Sequence, residues 1–359
     1  MRFTFLLPNI EVSGGNRANF ELANALVKQG HEVTIFYPLV PGRDGLGWLN
    51  FRKTAVQVIK GLRNCFQGQS WFPLKAELKK LLRFSTGLEG YLPDSDVIVF
   101  SWWAHARLVA GLPRRCGEPV HLIRSLEYWG GPEELVREAY RIPFKTLVTS
   151  EHLRCQYEAE FGSIDGIVPD GVDLTLFKPP TKIPNQVTVG MMYRRQPLKR
   201  MVDGIAALRM LKDKYPEIHI LLFGESIKTQ DRDALQGLEY EYVKFPTESA
   251  LRDIYQRTSI FLFPSGSEEA FGLPPLEAMA CGCAVVATKV GAIESYSENG
   301  QSALHCEVGN VEMMFEALSR LAEDDQFRKR LSQCGRQRTQ EMSWEHSANT
   351  LMNMVGGNK

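Results

Sequence analysis

The stretch SIFLFPSGSEEAFGLPPLEAMACGCAVVATKVG, Ser259 to Gly291, reads as strand, loop, helix and strand in that order. Ser259–Phe263 is a short apolar run of β-favouring residues. Pro264 and Gly266 end it, the proline because it lacks the N–H a ladder needs and the glycine because it opens the turn. Pro274 and Pro275 suit the first turn of a helix, where a missing N–H leaves nothing unpaired. A short helix is therefore expected over Leu276–Cys281, with Gly282 as its C-cap and Ala284–Thr288 as the next buried strand. The positive end of that helix sits behind a loop carrying Glu268 and Glu269, and Glu277 falls in its first turn. Alone, an acidic residue there is favourable helix electrostatics. Together with Glu269, it also suits two parts of one polyhydroxylated ligand, with the backbone of Phe271, Gly272 and Leu273 approaching closely.

The same alternation extends in both directions. Arg2–Leu7 is a buried strand, a loop with Gly14 and Gly15 follows, a helix runs from about Asn16 to Gln29, and Glu32–Tyr37 is the second strand. The double glycine frees backbone for a ligand but lacks the full dinucleotide fingerprint. Asp96–Ser101 and His121–Arg124 are further strands. In doubly wound sheets ligands lie beyond such strand ends, which makes His105, Arg124 and Glu127 cleft candidates. A lone histidine after tryptophans is otherwise a structural residue. The proline-rich stretch near Pro179 and Pro184 has the composition of a hinge. Beyond it Gln186–Met192 is a strand, and Arg194, Arg195 and Lys199 crowd the turn before a helix at about Met201. That is a clamp for a diphosphate, or else an exposed basic turn.

Composition bounds the rest. A chain of 359 residues suits two α/β domains, and 42 Lys plus Arg against 42 Asp plus Glu give no field that favours nucleic acid. Seven scattered cysteines have no metal-knuckle spacing, so no metal is expected and the thiols read as reduced, in a cytoplasmic protein. No apolar run is long enough to span a bilayer, and Pro8 and Asn9 cut short any secretory core at the start. Residues 43–83 hold nine basic residues against two acidic ones, with interleaved aromatics. Leu74, Leu78, Leu81 and Leu82 fall at helical spacing there, giving either a solvated surface helix or a peripheral contact with the anionic inner face of a membrane.

Glu269-Ala-Phe-Gly-Leu-Pro-Pro-Leu-Glu277, with Ala-Met-Ala-Cys-Gly after it, resembles the Glu-x7-Glu signature of the retaining, nucleotide-sugar-dependent glycosyltransferases of family 4. Ser13-Gly14-Gly15 and Ile167-Val-Pro-Asp-Gly-Val-Asp173 are similar to other motifs of that family. The resemblance implies the GT-B fold: α/β, two Rossmann-like domains with parallel sheets facing across a cleft. It suggests an acceptor-binding domain at 1–170, a linker at 171–185, a nucleotide-sugar domain at 186–335 and a returning C-terminal segment at 336–359. It implies that Glu269 contacts the donor sugar and that Glu277 holds the ribose. Lys199, with Arg194 or Arg195 replacing an arginine usual earlier in the loop, would face the diphosphate. Gly14 and Gly15 would face donor phosphates and acceptor. Where many members have a histidine, this chain has Arg124 and Ser125. The implied activity is transfer of a sugar from a nucleoside-diphosphate sugar, without a metal, to a saccharide or lipid-linked acceptor in bacterial polysaccharide or glycolipid assembly. The alternatives weighed are a catalytically weak sugar-nucleotide-binding protein, a glycosidase and an NAD-dependent oxidoreductase.

Overall fold

The computed structural model describes residues 1–39, 71–85, 87–182, 186–227 and 229–356. The chain divides into two compact units, Met1–Pro169 with Trp344–Lys359, and Asp170–Ser343. Each is built on a parallel sheet.

In the first unit the strands are β1 (Arg2–Leu6), β2 (Glu32–Pro38), β3 (Glu77–Leu81), β4 (Val97–Phe100), β5 (Glu118–Ile123), β6 (Lys145–Val148) and β7 (Gly166–Ile167). Their order is β3-β2-β1-β4-β5-β6-β7, every pair parallel. The chain moves outward from β1 to β3 and then returns to the other side of β1, so the order reverses between β1 and β4. Ligands of such sheets collect outside the carboxyl ends of strands at that reversal. Leu6, Phe36, Ile98, Phe100, Ile123 and Val148 share one buried cluster. Burying each such side chain contributes about 1.5–3 kcal/mol. The helix Trp344–Gly356 packs in this unit, with Lys28 Nζ 2.6 Å from Glu345 Oε1, Gln29 Nε2 donating to Asn349 Oδ1 at 2.9 Å and Lys145 Nζ to Met354 O at 3.0 Å.

The leucines at 78 and 81 belong to a strand and not to the helical stripe expected from their spacing. Glu77–Leu81 pairs with β2 from Thr34↔Glu77 to Pro38↔Leu81. An unpaired β2 edge offers a full row of backbone partners, and a lysine-bearing strand with exposed side chains suits the outside of a sheet. Lys79 lies 3.1 Å from Glu77 and over the Phe36 ring. The remainder of the basic segment, 43–70, lies outside the described residues.

The second unit orders β10 (Glu241–Lys244), β9 (His219–Gly224), β8 (Thr188–Tyr193), β11 (Ile260–Phe263), β12 (Ala284–Thr288) and β13 (Leu304–Cys306), all parallel. Here the reversal falls between β8 and β11. Alternate residues serve opposite faces: Leu221, Phe223, Phe261, Phe263 and Val285 in one core, Ile220, Leu222, Ile260, Leu262 and Val286 in the other. Burial on both faces is why these strands are apolar throughout instead of alternating. Residues expected to form a linker pack in this unit: Val172 and Phe177 are each 1% exposed, and the Val172 N–H bonds Met342 O at 2.8 Å. Aromatic and aliphatic residues between the prolines gave that segment a core to join.

Two histidines are buried in the first unit. His121, 1% exposed, stacks between Phe100 at 4.4 Å and Tyr140 at 5.6 Å. Burial pushes its pKa down to about 3, and that of His105 to about 4. Both are neutral in the folded chain, whereas unfolding frees them to titrate near 6.5. Stability is therefore fully present above pH 6.5 and falls as pH drops toward the folded values. We expect urea unfolding to show that His121→Phe loses about 2–3 kcal/mol less than the wild type between pH 7 and pH 4.5.

Candidate active site

At the sheet reversal of the second unit, the segment after β11 meets the segment after β8. Thr288, the last residue of β12, donates its hydroxyl to Ser265 O at 2.6 Å and so fixes the start of the first segment. Ser265 is 1% exposed, and its Oγ lies 2.6 Å from Glu269 Oε2 and 3.2 Å from Leu198 O. One hydroxyl proton cannot serve both, and the shorter bond to the charged carboxylate is the stronger. The Gly266 N–H donates to Leu198 O, tying the segments backbone to backbone.

Lys199 closes this arrangement. Its Nζ pairs with the same Glu269 Oε2, the side chains being 16% and 11% exposed, and lies 5.6 Å from the Phe263 ring centroid. Carboxylate, ammonium and hydroxyl thus form a compact polar group in a setting where screening is weak. Arg200, just after it, takes φ 45° and ψ 45° at the entry to the helix Met201–Lys214. A side chain costs about 1 kcal/mol in that left-handed conformation, which glycine adopts freely. Arg200 is partly compensated by pairing with Asp203 at 2.5 Å.

The helix begins earlier than its prolines suggest, running Leu273–Ala280 after Gly272 at φ 86°. Pro274 and Pro275 occupy its second and third positions. They carry no N–H, so of the four amides at the helix start only those of Gly272 and Leu273 can donate. The sequence places more donors at that terminus than the structure does. The earlier start also moves Glu277 from the first turn to the second. It is 3% exposed, and its Oε2 accepts from Tyr255 Oη at 3.0 Å. Tyr296 donates to Gly272 O at 2.7 Å. Burial first, then the charges of Glu269 and Glu277, push its phenol well above the usual range. Burial and Glu277 likewise push the Cys281 thiol up to about 12. Phe271, 4% exposed, packs on Tyr296 and serves the core.

The two arginines differ. Arg195 donates its backbone N–H to Glu225 Oε1 at 2.8 Å and a guanidinium N–H to Oε2 at 3.3 Å. Burial alone would raise the Glu225 carboxyl, but these bonds and the charge of nearby Arg194 hold it below the usual range. Arg194 makes no ion pair among the described residues, although its charge acts on Glu225 and Tyr242. Ser265, Thr288, Tyr255 and Tyr296 were not singled out from sequence. Ser265 lies four residues before Glu269, the only signal available.

In the first unit, Gly14 and Gly15 open the helix Gly14–Lys28, exposed and with open space where a Cβ would be. Ser13 caps this helix, accepting from Asn16 N at 3.1 Å. Arg124 turns inward, donating Nε–H to Asn19 Oδ1 at 3.2 Å. Glu127 is half-buried, with Oε2 accepting from Trp103 N at 3.0 Å. His105 lies in the core against Phe84 at 5.1 Å instead of lining a surface. Among the described residues no group of three or more His, Cys, Asp and Glu is placed to hold a metal, and no helix is long and apolar enough to cross a membrane.

The family model described as Glycosyltransferase Family 4 matches residues 12–176, and that described as Glycosyl transferases group 1 matches 174–338. Curated relatives include D-inositol 3-phosphate glycosyltransferases. That of Segniliparus rotundus is 32% identical over 45% of this chain and 40% of its own length. That of Rhodococcus jostii is 28% identical over 62% and 53%. The chain thus spans about half the length of the first curated relatives it matches, although the Nocardioides sequence aligns over 96% of this chain and 85% of its own at 24% identity. Among solved structures, sucrose-phosphate synthase from Thermosynechococcus elongatus superposes with TM-score 0.75 at 18% identity, covering 99% and 98% of the two chains. Staphylococcus aureus TarM gives 0.77 at 12%, covering all of both, and Anabaena HepE with UDP-glucose 0.76 at 14%, covering 99% and 100%. These likenesses establish the GT-B fold.

Proposed function

The chain belongs to the group 1 glycosyltransferases, its two halves matching the family 4 and group 1 models in succession, and on that premise we propose that it moves a sugar from a nucleoside-diphosphate sugar to a saccharide or lipid-linked acceptor, with retention of configuration. The observation that carries this reading is the Lys199–Glu269 pair at the strand reversal of the second unit, with Glu277 buried on the helix that follows Glu269. Breaking the bond between anomeric carbon and phosphate oxygen sends the electron pair to the diphosphate. Lys199 and Arg194 stabilise that developing charge, aided by the Gly272 and Leu273 amides. Glu269 accepts from a hydroxyl of the donor sugar, and Glu277 from the ribose. The acceptor oxygen attacks the same face and gives its proton to the departing phosphate, so no protein nucleophile is needed. UDP complexes of HepE and TarM favour a uridine nucleotide as the first to try. Assembly of bacterial polysaccharide or glycolipid suits such a reaction.

Thermal unfolding with UDP, GDP, ADP and dTDP tests the reading. A nucleotide present at about 100 times its Kd adds roughly 2.7 kcal/mol. We expect one nucleotide to raise Tm in the wild type and to raise it much less in Glu277→Ala and in the milder Glu277→Gln. A shift undiminished in both variants, or none with any nucleotide, would refute the assignment. Consumption of the sugar donor then separates transfer from binding without turnover.

A further inference from the structure

The donor features gather in the second unit, so the acceptor falls to the first, where tryptophans meet at the carboxyl ends of β4 and β5. Trp129 is 77% exposed, more than any other large apolar side chain among the described residues. It lies 5.5 Å from Trp102, which lies 6.1 Å from the buried Trp103. Resting on the acceptor-dependent reading above, we propose that Trp129 and Trp102 form a stacking platform for a pyranose ring of a neutral saccharide acceptor, with the Glu127 carboxyl bonding its hydroxyls.

The platform is held in place. A Cβ on Gly130 would sit 2.4 Å from Trp102 Cη2, and one on Gly131 2.3 Å from Trp103 Cζ2, so the backbone after Trp129 lies directly on both indoles. Only glycine permits that approach, and it leaves Trp129 projecting on a short, anchored stem. An indole offers an apolar face to the C–H face of a sugar ring, while a polar group at its edge supplies orientation. Glu127 meets the second need. One of its oxygens is taken by the Trp103 N–H, and among the described residues no donor meets the other. Burial pushes its pKa up, against the effect of the Trp103 N–H, and the remaining oxygen can accept from a sugar hydroxyl.

Exposed tryptophan also serves at lipid interfaces, where basic neighbours accompany it on anionic surfaces. The local charge opposes that use. Residues 125–134, SLEYWGGPEE, carry no basic side chain, and Arg137, whose guanidinium lies over the Tyr128 ring, is paired with Glu133 and Glu160. A neutral, hydroxyl-rich ligand fits a segment with no cation of its own for an anionic headgroup.

The test is a glycan array probed with the full chain in the presence of the nucleotide that raises its Tm, comparing wild type, Trp129→Phe and Trp129→Ala. We expect wild type to bind a set of saccharides, Trp129→Phe to keep most of that binding, and Trp129→Ala to lose about tenfold or more, as truncating a central aromatic anchor does. The nucleotide-induced rise in Tm should persist in Trp129→Ala, which shows that the variant is folded. Undiminished glycan binding by Trp129→Ala overturns the proposal, as does an array silent to a wild type that binds nucleotide. Association with phosphatidylglycerol vesicles that Trp129→Ala abolishes overturns it in favour of a lipid anchor. Absence of any nucleotide response in the wild type would instead be a failure of the transferase reading itself.

Discussion

Glu269→Gln is expected to slow sugar transfer by on the order of a hundredfold while tightening the binding of a free nucleoside diphosphate. Both effects come from one oxygen atom. Glu269 Oε2 holds Lys199 Nζ and Ser265 Oγ together, so a diphosphate arriving at Lys199 must take the ammonium from the carboxylate. The pair is mostly shielded from water, and exchanging one ionic partner for another returns only the difference between them. Glutamine keeps the size of the side chain but sets no charge against the ammonium. The diphosphate then gains about 1 kcal/mol, roughly fivefold in Kd. Transfer suffers because a neutral amide no longer offers a negative charge to the sugar as its anomeric carbon turns positive. The same exchange gives Glu269 its freedom in the wild type: once the phosphates occupy Lys199, the carboxylate stays anchored by Ser265 alone and can turn to the sugar. Calorimetric titration with the diphosphate, alongside donor turnover, reads both effects. A fall in affinity parallel to the fall in turnover would show that Glu269 supports the nucleotide directly and that no exchange occurs.

Much of this arrangement can be read before any coordinates exist, because the informative residues are local. The strand Ala284–Thr288 has the bounds expected of an apolar run that begins just after Gly282. The inner strands β11 and β12 are apolar runs between turn residues. What local reading misses is set by partners distant in sequence. The spacing of Leu74, Leu78, Leu81 and Leu82 suggests a helix, but the open edge of β2, some forty residues earlier, makes part of that run a strand. The helix start at Leu273 depends on Gly272 taking a left-handed turn that Tyr296 then locks by hydrogen bond. Lys199 and Glu269 stand 70 positions apart, and only the order of β8 beside β11 brings them together. Arg194 and Arg195 are equivalent in sequence and unequal in the fold, because Glu225 at the end of β9 occupies one and leaves the other. His105 follows two tryptophans as a cleft residue might, yet its ring packs against Phe84 in the core.

Lys199→Met carries the largest expected loss: about a thousandfold in transfer, with nucleoside diphosphate affinity falling as well. Methionine keeps the apolar stem over the Phe263 ring and removes the ammonium, so the packing of the turn survives while its charge does not. Glu269 retains Ser265 as a partner, and the variant should therefore fold. The two substitutions together decide how the pair works. In the Lys199→Met background no ammonium remains to be released, and adding Glu269→Gln should leave diphosphate affinity nearly unchanged. The fivefold gain expected from Glu269→Gln alone then disappears, a coupling of about 1 kcal/mol between two residues in direct contact. If Glu269→Gln tightened binding equally in both backgrounds, its effect would come from loosening the segment that carries Ser265 and Gly266, and competition for Lys199 would be excluded. A vanishing gain leaves the ammonium as the common partner, held by the protein's own carboxylate until a diphosphate displaces it.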